Sequence, residues 1–167
     1  MGRSVTNPVN YSDWTPDKHY RLETDIELPD PVGAVESNWY PITAPIMFGS
    51  GIESDMYPLT SPYDGSFSGT FDGNGKTISN MVLGGVRVNM RTGMFDVLSG
   101  TVKDLTIRIK RVNIWNGEGG IIACYDHGCR IENCTVYKEA GFVSNGVEKI
   151  LNTGNEECMI NCVIINE

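Results

Sequence analysis

The sequence predicts an all-β chain wound as a short parallel β-helix, or β-solenoid, with an N-terminal cap and a long inserted loop. Three observations predict it: nineteen glycines beside only 20% charged residues, hardly any helical spacing, and one strand pattern that recurs four times. The recurring segments are "TISNMVL" (77–83), "TVKDLTI" (101–107), "RIENCTV" (130–136) and "CMINCVI" (158–164). Each sets an apolar residue, one variable position, an Asn or Asp, an apolar residue, one further position and an apolar residue. The apolar sets are Ile78/Met81/Leu83, Val102/Leu105/Ile107, Ile131/Cys134/Val136 and Met159/Cys162/Ile164. The polar column is Asn80, Asp104, Asn133 and Asn161, at intervals of 24, 29 and 28 residues, which suits one solenoid turn per repeat. Such a column is expected to act as a ladder at a corner, where short amide side chains bond a neighbouring coil and tolerate the turn geometry. Four similar strands within an ordinary sandwich remain the alternative.

With 167 residues there is room for one domain or one elongated array. We expect a single domain over 1–167: a cap over 1–18, a first strand and inserted loop over 19–66, and repeat coils over 67–167. The opening "MGRSVTNPVNYSDWTPD" has no apolar stretch behind its arginine, so no export signal is expected. Trp14, Trp39, Tyr40, Tyr57, Tyr63 and Trp115 read as a cap over the first coil, or as a platform on which a sugar could stack. The stretch 43–66 is long for a structureless connection, which makes it the first choice for a partner-contacting surface, with Tyr57 and Tyr63.

"FSGTFDGNGKT" (67–77) ends in Gly75-Lys76-Thr77, the letters that close a phosphate-binding loop. Position 70 is Thr where that loop needs glycine, and "TISNMVLGG" follows in place of a helix, so no anion cradle is predicted. A calcium loop fails too, because Lys76 and Leu83 stand at ligand positions. Asp72, Gly73, Asn74 and Gly75 are instead predicted to form a tight corner. "GMF" (93–95), "GII" (120–122) and "GFV" (141–143) give a second strand to each interval. "SNGVEKILN" (144–152) is the best helical candidate, at most two turns.

At these residues the chain resembles the GLUG-type repeat proteins. The resemblance is carried, in order, by "YRLETDIEL" (20–28), "WYPI" (39–42), "FSGTFDGNGKTISNMVL" (67–83), "TGMF" (92–95), "SGTVKDLTI" (99–107) and "IENCTV" (131–136). The long stretch 43–66, and Asp96 and Ala123 where the family's "GLFG" has its second glycine, depart from it. The resemblance implies a right-handed parallel β-helix of the pectate-lyase-like class, in a bacterial surface or phage-associated module that is not an enzyme.

A net charge of −8 argues against a nucleic-acid partner, and no apolar run is long enough to insert in a membrane. Polysaccharide cleavage, the chemistry of other proteins with this winding, would need paired carboxylates. Asp96, Asp104, Glu118, Asp126 and Glu132 are the candidates, none in an evident pair, and no catalytic residue is assigned. His127 reads as a turn histidine beside Asp126. The basic run Arg108, Lys110 and Arg111 reads as a solvated face or as a surface for an acidic glycan or neighbour. Five cysteines without a CxxC signal no closed zinc site, so neither a metal nor a cofactor is expected. Cys134 and Cys162 share a column, which would place their Cα atoms about 5 Å apart if their coils stack. The final "INCVIINE" leaves Val163, Ile164 and Ile165 in an exposed last coil, which points to a homo-oligomer or to docking on other structural chains. The functional expectation is a non-catalytic structural or attachment protein on a particle, a bacteriophage virion component of the decoration or tail-associated kind. A secreted adhesin module binding glycan or host protein, and a polysaccharide-cleaving enzyme, are the alternatives.

Overall fold

A computed structural model describes residues 15–31, 37–39, 41–42, 66–84, 92–113, 119–145, 149–154 and 156–167. These residues are almost all β, and every strand pairing among them is parallel. The strands are β1 (His19–Arg21), β2 (Ile26–Glu27), β3 (Ser66–Phe67), β4 (Thr70–Gly84), β5 (Phe95–Leu98), β6 (Thr101–Asn113), β7 (Ala123–Asp126), β8 (Arg130–Glu132), β9 (Thr135–Ser144), β10 (Leu151–Thr153), β11 (Met159–Ile160) and β12 (Val163–Asn166). A single 3₁₀ turn, Glu156–Cys158, is the only helical element among the described residues.

Two sheets result. The smaller runs β10-β7-β5-β3, and the larger runs β1-β4-β6-β8-β11, with β2 on β4 and β9 between β6 and β12. Along the chain a strand of the smaller sheet always leads into a stretch of the larger one, and each such unit lies in register on the next. Phe71 pairs with Val102, Val102 with Ile131 and Ile131 with Met159. Ile78 pairs with Ile107, Ile107 with Val136 and Val136 with Ile164. These columns form the core, joined from the smaller sheet by Phe67 and Phe95, whose rings lie 4.9 Å apart.

The corners explain the sequence pattern. In a strand, residues three apart face opposite sides, yet Val102 and Leu105 are both buried, as are Ile131 and Cys134. The residue between resets the phase: Asp104, Asn133 and Asn161 have φ of 52°, 50° and 53°, left-handed values that Asn and Asp accept more readily than other L-residues. Asn80 (φ 58°) does the same between Ile78 and Met81. Close backbone approach sets a second constraint: a Cβ on Gly100 would lie 2.0 Å from Gly69 O in the preceding unit.

Three expectations are corrected. Asn80 does not belong to the Asp104 column: Asp72 pairs with Lys103 and Lys76 with Leu105, so Asp104 stands opposite Gly73–Gly75, and Asn74 (φ 52°) is its counterpart. "GFV" (141–143) lies in β9 of the larger sheet, because Arg111 pairs with Val143; "GMF" and "GII" do lead into the smaller sheet at Phe95 and Ala123. In "SNGVEKILN", Ser144 ends β9 and Leu151 begins β10, so the described part of that segment is strand and bend. Its remaining residues, 146–148, lie outside the described set, as does most of the expected cap over 1–18 and loop over 43–66.

Candidate functional site

Side-chain amides in the Asp104 column link the units at their corners, each donating toward the earlier unit. Asn161 Nδ2 donates to Asn133 Oδ1 (3.2 Å), and Asn133 Nδ2 donates to Asp104 Oδ1 (2.9 Å). The ladder continues as an ion pair, with Lys103 Nζ 3.7 Å from Asp104 Oδ2 and 3.2 Å from Asp72 Oδ2. At the same level Asn74 Nδ2 donates to Leu22 O (3.1 Å), while Arg21 donates to Asn74 Oδ1 (2.6 Å). Burial pushes the Asp72 carboxyl up, but the Asn74 amide and the Lys103 ammonium outweigh it and hold the group below the usual carboxylate range.

Asn80 makes a separate corner. Its Nδ2 donates to Leu28 O (2.7 Å) and Asp30 Oδ1 (3.0 Å), and its backbone carbonyl accepts from Asn38 Nδ2 (2.6 Å). Asn38 Oδ1 accepts in turn from the Val82 amide (2.8 Å), and the buried Trp39 donates Nε1–H to Met94 O (3.1 Å). Nothing in the repeat pattern marks Asn38, because two of its partners, Asn80 and Val82, lie more than forty residues away.

The basic run is drawn into the chain's own contacts. Arg108 binds both carboxylate oxygens of Glu167, at 2.9 and 2.5 Å, with its guanidinium 5.6 Å from the Tyr137 ring centre. The Glu167 carboxylate raises the Arg108 pKa further. Lys110 is exposed, 4.0 Å from Asp30, and Arg111 is half-buried. Tyr57 and Tyr63 lie outside the described residues, as does Glu118. The other candidate carboxylates are dispersed: Asp96 is buried, Asp104 belongs to the ladder, and Glu132 is paired with Arg130. His127 is exposed, and its amide bonds Leu98 O.

Cysteines gather between the last two units. Cys162 stands opposite Cys134, as their shared column predicts, because Met159 pairs with Ile131 and Val163 with Thr135; the proximity of the two thiols lowers the Cys162 pKa from the ordinary thiol value and raises that of Cys134. A second group escapes the sequence reading. Asp126 Oδ1 accepts the amide protons of Gly128 (2.8 Å) and Cys129 (2.7 Å), and Cys129 Sγ lies 3.3 Å from Cys158 Sγ. Burial pushes both of these thiols up. The 29-residue step from Cys129 to Cys158 is the signal that would have found it, since Asp104 and Asn133 are separated by the same interval. All five cysteines are unbridged.

A scan against protein-family models, a search of curated proteins and a search of solved structures each return no match. No helix among the described residues is long and apolar enough to cross a membrane.

Proposed function

We propose that the chain is a β-solenoid acting as a non-catalytic structural or attachment protein on a particle surface, as a bacteriophage virion component of the decoration or tail-associated kind. The observation that carries this reading is the outer edge of the larger sheet. There, among the described residues, β12 pairs with β9 alone, and Ile160, Val163 and Ile165 are 39%, 47% and 38% exposed. Apolar side chains on an open strand edge offer a template to another chain. The stacked parallel units support the winding, and the GLUG-type resemblance adds its handedness and its link to particle and cell surfaces. The side chains also favour structure over chemistry, since the described polar groups at the corners bond mainly to neighbouring units.

In this reading the partners are other structural chains, first of all further copies of this one. Light scattering after size exclusion, with and without reductant, tests it. A reductant-independent oligomer is the expected result, and a monomer at every concentration would count against it. Turnover on a panel of acidic and neutral polysaccharides would replace it with an enzymatic reading.

A further inference from the structure

Asp126, Cys129 and Cys158 bring a carboxylate oxygen and two sulfurs to within 4.8 Å of one another. We propose that they form a binding site for one thiophilic divalent cation of the zinc class, with two thiolates and a carboxylate as ligands and a solvent molecule in the fourth position. Two metal–sulfur bonds of about 2.3 Å at a tetrahedral angle hold their sulfurs about 3.8 Å apart, whereas a disulfide holds them at about 2.05 Å. The 3.3 Å between Cys129 and Cys158 lies nearer the first distance. Mixed sulfur and oxygen donors suit zinc and its cobalt and cadmium analogues better than calcium or magnesium, which take oxygen alone.

The surroundings are arranged for the carboxylate. Two backbone amides, those of Gly128 and Cys129, fix Asp126 through Oδ1, the kind of outer support that orients a metal ligand. Gly128, at φ 85°, closes the turn that brings Cys129 back beside Asp126. In the next unit Gly154 leaves the carboxylate its space: a Cβ there would lie 2.3 Å from Asp126 Cβ and 2.7 Å from Oδ2. Cys158 then enters from the 3₁₀ turn ahead of β11. On binding, each thiol releases its proton to solvent and the metal takes both sulfur lone pairs, with no change of oxidation state. The cation would clip the last described unit to the one before it, whatever the chain attaches to.

The test uses the whole reduced chain, titrated with cobalt(II) and competed with zinc(II). The expected result is one equivalent of cobalt with a sulfur-to-metal charge-transfer band, displaced by zinc, and zinc protection of Cys129 and Cys158, but not Cys162, from iodoacetamide as read by mass spectrometry. Cys158→Ser should remove the band and Asp126→Asn should weaken binding at least tenfold, with far-UV circular dichroism unchanged. No stoichiometric band in the wild-type chain overturns the proposal. So does a band that survives Cys158→Ser but follows Cys134→Ser, or zinc protection that falls on Cys134 and Cys162. Because the wild-type titration and footprint decide by themselves, a variant that fails to fold does not rescue the site.

Discussion

Asn133 shows what one corner residue contributes. It is exposed, yet it combines a left-handed backbone with two ladder bonds, one donated to Asp104 and one accepted from Asn161. Alanine loses both features and glycine only the second. A left-handed L-residue costs about 1–2 kcal/mol, and two exposed hydrogen bonds at about 0.5 kcal/mol net each contribute about 1 kcal/mol together. Asn133→Ala should therefore lower stability by about 2 kcal/mol in thermal or urea unfolding, and Asn133→Gly by about 1 kcal/mol. Equal losses would mean that the backbone conformation carries nothing. Asp72 makes a pH prediction. Its folded pKa is depressed below 3.8, so its contribution is present above that value and fades as pH falls through the folded pKa. Asp72→Asn should flatten the acid limb of a stability profile as pH falls below 3.8, leaving the neutral limb parallel to the wild type. At this scale the sequence was informative, because Asn or Asp between two apolar positions has a physical cause in the phase reset. It misled at Asn80, because the corner from Phe71 to Ile78 is two residues longer than that from Val102 to Ile107, and the pattern was matched one corner late.

Strands in this chain are held at fixed spacing by what is missing as much as by what is present. Where the chain passes from β5 to β6, Gly100 meets the Gly69 carbonyl of the preceding unit, and its own amide bonds Phe67 O at 2.8 Å. A methyl group there would strike backbone, which cannot swing aside as a side chain can. Gly100→Ala should cost about 3 kcal/mol or more, among the larger effects of a single substitution, and should speed amide exchange in β4 and β6 together. A loss below about 1 kcal/mol, the ordinary range for a surface change, would show that the units part freely at this point. Strand existence was legible in the apolar alternation, and so was the stacking of Cys134 on Cys162. The reading of "GFV" as a second strand of its interval, parallel to the roles of "GMF" and "GII", failed because glycine followed by two apolar residues carries no information on which sheet receives them. The helical spacing in 144–152 failed for a related reason: three apolar residues fit a helix and also fit the junction of two strands.

At the scale of the whole molecule, the exposed apolar residues of β11 and β12 face outward while the core columns end beneath them. Under the proposed function, Val163→Asp with Ile165→Asp should convert an oligomer to monomers without altering the circular dichroism, since both side chains are already exposed. An oligomer of unchanged mass would move the contact elsewhere. The sequence marked this edge through "INCVIINE" and carried the Cys129–Cys158 pair in their 29-residue step, but Asp126 joins them only through the turn at Gly128, which no repeat column marks. The corner amides carry a final implication. Asn74, Asn80, Asn133, Asn145 and Asn161 all donate toward the earlier unit. A carboxylate has no proton to give at neutral pH, so Asp104 can only receive, and in its run it stands before Asn133 and Asn161. The column thus has a direction, written in the order of Asp and Asn along the chain, in which each amide turns its donor to the earlier unit and its Oδ1 acceptor to the later one. Copies joined end to end through such unlike faces would meet head to tail, as a ring or an open fibre, and not about a two-fold axis.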